Sequence, residues 1–122
     1  MKILIVEPRQ HPRRADIPHT LHDMQQTVGG YIEIIQPFDD PLVLVCDEEG
    51  KLKGYALNRA IAGKDIIAGT FFLAGIDGDN LTDLPDELAD RYEAIFRSPE
   101  VFIRSPRGIL VLSEEGTQEI IP

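Results

Sequence analysis

The chain predicts an α+β fold, with a mostly antiparallel sheet built of hairpins and two amphipathic helices packed on it. Three observations carry that expectation. Short apolar runs are bounded by Gly, Pro and Asp, acidic turns end in glycine at Asp47-Glu48-Glu49-Gly50 and Ser113-Glu114-Glu115-Gly116, and only two segments repeat with helical spacing. At 122 residues, 43% hydrophobic and 27% charged, the chain is expected to form a single domain with a real core.

Ile3 to Val6 reads as an interior strand because its apolar run is unbroken, and Pro8 and Pro12 then interrupt the chain. Arg14 to Ile17 returns as a short edge strand. Thr20 has the chemistry of a helix N-cap with Asp23 three residues on, and Leu21, Met24 and Val28 mark one helix face before Gly29-Gly30 stops it. Tyr31 to Gln36 is rich in β-branched residues and ends at Pro37. Leu42 to Cys46, the acidic turn and Lys51 to Tyr55 are expected to form a hairpin. Leu57 to Lys64 follows, and Asp65 to Gly75 reads as one long strand in which Gly69 marks a bulge or a close approach.

Asp77-Gly78-Asp79-Asn80 is a turn, after which Thr82 or Asp83 is expected to cap a helix beginning near Pro85. Leu84, Leu88, Tyr92, Ile95 and Phe96 share its apolar face, while Asp86, Glu87, Asp90 and Glu93 point outward. Ile109 to Leu112 and Thr117 to Ile121 then make a C-terminal hairpin. The tally is five to eight strands.

Composition limits the function. With 21 acidic against 12 basic side chains the formal net charge is -9, which repels a phosphate backbone and argues against direct nucleic-acid binding. The basic residues form two islands, Arg9, Arg13 and Arg14 near the start and Arg97, Arg104 and Arg107 near the end, which could hold an anion but are read first as solvated. No apolar run is long enough for a membrane span or a signal-peptide core, and the lone Cys46 in an apolar run suits a reducing compartment. A cytoplasmic location is expected, with no membrane partner.

The chemical motifs are mostly negative. His11, His19 and His22 come closest to a metal set but bring no thiolate, so no metal is expected. Asp77, Asp79 and Asp83 lack the calcium-loop register, and the glycines form neither standard phosphate loop. No cofactor and no catalytic residue is assigned, and Ser98, Ser105 and Ser113 lie in no nucleophile elbow. Asn58-Arg59 differs in kind, because guanidinium donors beside an amide suit a planar or phosphorylated ligand. Asn58, Arg59, Tyr55, Tyr31 and Asp65 are therefore the candidate ligand-binding residues. The competing reading is structural, with Arg59 paired to Asp65 or a hairpin carboxylate and Asn58 capping a helical turn over Arg59 to Ala62.

The runs VGGYIEII, LVLVCDEEGKLKGYALNRA and DIIAGTFFLAG together resemble the family described as domain of unknown function 3846, over roughly Met1 to Thr82. Residues 83–122 then read as a C-terminal helix and hairpin extension of a family-like core. The chain departs from the family pattern in having Asp47 where an Asn is usual, and Ala56-Leu57 where prolines usually precede the Asn-Arg pair. The resemblance implies a small accessory protein of a phage or mobile element acting in a bacterial cytoplasm. The expected function is a non-enzymatic binding protein that counters a host system by sequestering a nucleotide-type ligand, with a homo-oligomer as one possible form. The alternatives are an acidic inhibitor or DNA mimic docking on a host protein, and a small enzyme of unknown reaction.

Overall fold

The computed structural model describes residues 1–61, 65–114 and 116–120. The described residues form an α+β structure with elements in the order β1 (Lys2–Val6), β2 (Arg13–Asp16), α1 (Leu21–Val28), β3 (Ile32–Ile35), β4 (Leu42–Asp47), β5 (Leu57–Ile61), β6 (Asp65–Ala68), β7 (Phe71–Asp77), β8 (Asn80–Thr82), α2 (Asp86–Ile95), β9 (Val101–Ser105), β10 (Gly108–Ser113) and β11 (Gly116–Ile120). The central sheet runs β2-β1-β7-β4-β3, with β8 also on β7. Separate sheets are β5-β6 and β11-β10-β9, and every strand pair is antiparallel.

β1, β4 and β7 carry unbroken apolar runs because both of their faces are covered. On one face Ile3, Ile5, Val43, Val45, Phe72 and Ala74 pack against Met24 and Val28 of α1. On the other face Leu4, Val6, Leu42, Leu44, Phe71 and Leu73 pack against α2 and against Ile61 and Ile67 of the β5–β6 hairpin. Each large side chain removed from water in this way contributes about 1.5–3 kcal/mol before the entropy of ordering is charged against it.

The first helix forms as its sequence predicts. Thr20 Oγ1 accepts from the Asp23 amide at 3.1 Å, and Gly29 closes the helix in the left-handed conformation. Leu21, expected on its inner face, is 56% exposed instead. The second helix starts differently. Pro85 occupies the N-cap position with no side-chain cap, because Asp83 Oδ1 accepts from the Lys2 amide at 2.8 Å and so fastens the helix approach to β1. Leu84, Leu88, Tyr92 and Phe96 are buried as expected, whereas Ile95 is exposed.

Three further expectations need correction. Lys51 to Tyr55 is no hairpin arm, since β4 pairs with β3 and β7 while residues 48–54 coil through successive turns. Asp47 drives that coil: its Oδ1 accepts from the Glu49 amide at 2.8 Å and its carbonyl from the Gly50 amide at 3.2 Å. The apolar run from Asp65 to Gly75 is two strands in different sheets, turned at Gly69, whose φ of 83° favours glycine. Strands number eleven among the described residues, more than five to eight, because β5, β6, β8 and β9 were not foreseen as separate strands. The C-terminal hairpin is present as β10–β11, and Ile121 of the expected second arm lies outside the described residues.

Candidate functional site

Asn58 and Arg59 are adjacent in β5, where regular alternation would send one inward and the other out. Both are buried, at 0% and 1% exposure, because the strand bulges. Leu57 pairs with Ala68 and Arg59 with Ile67, which leaves Asn58 as the extra residue and turns both side chains to the core. Asn58 Nδ2 donates to the carbonyls of Val6 at 2.8 Å and Gly69 at 2.9 Å, so it ties the end of β1 to the β6–β7 corner. Its Oδ1 accepts from Arg59 Nη1 at 2.9 Å.

Arg59 uses all five of its N–H groups inside the chain. Nη1 also donates to the Asn58 carbonyl at 3.2 Å, Nη2 donates to Gln10 at 2.7 Å and Phe96 at 2.9 Å, and Nε donates to Phe96 at 3.3 Å. The Phe96 carbonyl ends α2, where the helix dipole favours a cation. Burial lowers the arginine's pKa and the charge of Glu100 opposes that shift, leaving it protonated at any ordinary pH. Arg59 therefore acts as a strut joining the β1–β2 loop, β5 and the end of α2. The carboxylate expected as its partner, Asp65, instead holds Lys51 at 2.6 Å. The alternative cap is also absent up to Ile61, where β5 is extended, and Ala62 lies outside the described residues.

Tyr55 lies over the β6–β7 corner, so close that a Cβ on Gly69 would meet its Cδ2 at 2.5 Å. Its hydroxyl donates to the Gly29 carbonyl at 3.1 Å, at the end of α1. This ring walls an open groove of about 330 Å³ whose other sides are Pro8, Gln26 to Gly29, Ala56, Gly69 and Thr70. Ala56 also lines a neighbouring hollow of about 150 Å³, together with Arg9, Leu57, Glu100, Val101 and Phe102. Beside the groove, Lys53 Nζ pairs with the buried Asp47 at 2.8 Å. Burial pushes Asp47 up, but the Lys53 ammonium and the Glu49 amide outweigh it and hold the carboxyl below its usual range.

The remaining sequence candidates lie apart from this groove's lining. Tyr31 is 67% exposed, and its carbonyl accepts from the Glu48 amide at 3.0 Å. Asp65 lines a separate hollow of about 200 Å³ with Glu33, Cys46 and Asp47. Sequence reasoning named Arg9 only as part of a basic island and not among the site residues, yet it borders the small hollow and is the only non-glycine among the described residues with positive φ, at 64°. Its signal was the Pro8-Arg9 pair in an interrupting loop.

His11, His19 and His22 do not converge: no group of three metal-ligating side chains occurs among the described residues. Cys46 is buried, and that burial, with Glu33 close by, pushes its thiol up to about 11. No described helix is long and apolar enough to cross a membrane.

The architecture is an antiparallel α+β sheet covered on both faces and joined at a buried Asn-Arg junction. The chain belongs to the family Domain of unknown function (DUF3846), whose pattern matches residues 1–97 and so reaches past Thr82 through α2. No curated protein and no solved structure matches the chain significantly.

Proposed function

We propose that this chain is a non-enzymatic binding protein that sequesters a small nucleotide-type ligand in the groove walled by Tyr55. The observation that carries the reading is the groove itself. Its volume of about 330 Å³ lies at the lower end of the range of small-ligand sites, a hollow of about 150 Å³ adjoins it at Ala56, and the Tyr55 ring forms one wall. Asn58 and Arg59 enter as the supports of that groove, since one holds the Gly69 corner and the other the loop bearing Pro8. An accessory protein of a phage or mobile element, acting in a bacterial cytoplasm against a host signal, is the setting this reading supplies.

The acidic-inhibitor reading ranks second because the carboxylates of α2 are partly spent within the chain. Arg14 bonds Glu93 at 2.9 Å and also pairs with Asp90 and Asp86, while Arg91 holds Asp40 at 2.7 Å. Native mass spectrometry with a pool of cyclic dinucleotides and ADP-ribose tests the first reading. Wild type should retain a ligand that Tyr55→Leu loses. Bare wild-type protein in every mixture would discard it in favour of a protein partner.

A further inference from the structure

Arg9 stands where the backbone disfavours it. Gln10 donates its amide to the Glu7 carbonyl at 3.1 Å, Pro8 takes the second position and Arg9 the third with φ of 64°, the arrangement of a type II turn. That third position favours glycine or asparagine, since a Cβ in left-handed backbone is strained. The turn cannot relax freely, because the Gln10 carbonyl is held at 2.7 Å by the buried Arg59. Strain of this kind concentrates at functional sites, where the surrounding structure holds it in place.

Local charge points the same way. Glu7 is paired with Arg13 at 2.8 Å, Asp47 with Lys53 at 2.8 Å, and the charge of Glu100 acts on the buried guanidinium of Arg59. Among the described residues, Arg9 and Arg97 make no ion pair. Both are exposed, and both are brought to one junction: Gln10 and Phe96, their chain neighbours, accept from the same Nη2 of Arg59. One arginine from each island of the sequence thus flanks that junction. Arg9 lines the hollow that adjoins the Tyr55 groove, opposite Glu100, whose Oε1 accepts from the Ala60 amide at 2.7 Å, in a chain of net charge -9.

We propose that Arg9, supported by Arg97, is the anion-holding end of this groove and selects ligands bearing a phosphate or pyrophosphate group, with the base against Tyr55. The assignment rests on the ligand-binding reading of the groove and adds the residue that recognises the charge. A guanidinium fork suits phosphate oxygens, and the surrounding net negative charge repels an anion everywhere except where an unpaired cation lies.

The test is titration calorimetry of wild type, Arg9→Gly and Arg97→Ala with ADP-ribose, a cyclic dinucleotide and adenosine, with thermal melts of each protein. Wild type should bind a phosphorylated probe at least tenfold more tightly than adenosine, and Arg9→Gly should lose that preference while melting at a higher temperature. A smaller loss is expected for Arg97→Ala. If Arg9→Gly keeps the preference, the assignment of Arg9 is overturned while the groove stands as a ligand site. If wild type binds none of the probes, both fall together.

Discussion

β4 and β10 are almost interchangeable as sequence, LVLVCD against GILVLS, yet all six residues of β4 are buried and only Val111 of β10 is. The difference lies in what covers them. β4 has α1 on one side, α2 and the β5–β6 hairpin on the other, and strands along both edges. β10 has strands along both edges but none of its residues joins either core cluster, and its neighbour β9 leaves Val101 and Ile103 exposed at 53% and 43%. An apolar run thus specifies a strand, whereas its burial depends on cover supplied by distant parts of the chain. The covered region also coincides with the family match over residues 1–97, and the uncovered sheet lies beyond it.

The largest expected effect comes from the junction that ties the covered region together. Arg59→Met should destabilise the protein by about 3–5 kcal/mol in urea unfolding, because Gln10 and Phe96 lose their donor and Glu100 loses a countercharge. A loss below about 1 kcal/mol would mean the strut is dispensable. Next, Leu73→Ala in the central strand should cost about 2–5 kcal/mol, while Ile103→Ala in the C-terminal sheet should stay within about 0.5 kcal/mol. Equal costs would erase the contrast between the two sheets.

Tyr92→Phe removes the hydroxyl that donates to Asp40 Oδ2 at 2.7 Å and should cost about 1 kcal/mol, measured as a shift in the denaturation midpoint. The smallest effect is acid dependence. Asp47 is held below its unfolded pKa, so its contribution is complete above about pH 4 and is lost as pH falls through the folded value. Wild-type stability should therefore fall more steeply with acid than that of Asp47→Asn; superimposable curves would show that the Lys53 pair contributes nothing.

Much of the fold was legible because its signals are local. Thr20 and Gly29 bound α1, the run Ile3 to Val6 marks an interior strand, and the 84-88-92-96 spacing marks the buried face of α2. What escaped depends on tertiary partners. The apolar residues on either side of Gly69 look continuous, and only its φ and the Asn58 bond to its carbonyl reveal a corner. Asp47-Glu48-Glu49-Gly50 resembles a hairpin turn, but the Asp47 side chain bonds the backbone ahead and winds the chain instead.

The site was legible only in part, for the same reason. Tyr55 does wall a groove, whereas a guanidinium beside an amide looks the same in sequence whether its donors face a ligand or five acceptors within the chain. The bulge that turns Asn58 and Arg59 inward is a property of register with β6, which the sequence does not display.

Cys46 gives this molecule an internal stopwatch. It is the sole thiol, it lies in β4 opposite Glu33 of the edge strand, and almost none of it is ionised near neutral pH. The sulfur sits at the floor of the hollow it shares with Glu33 and Asp65 and is only 4% exposed, so slow labelling by a thiol reagent reports how often the sheet edge around it loosens, without any introduced probe.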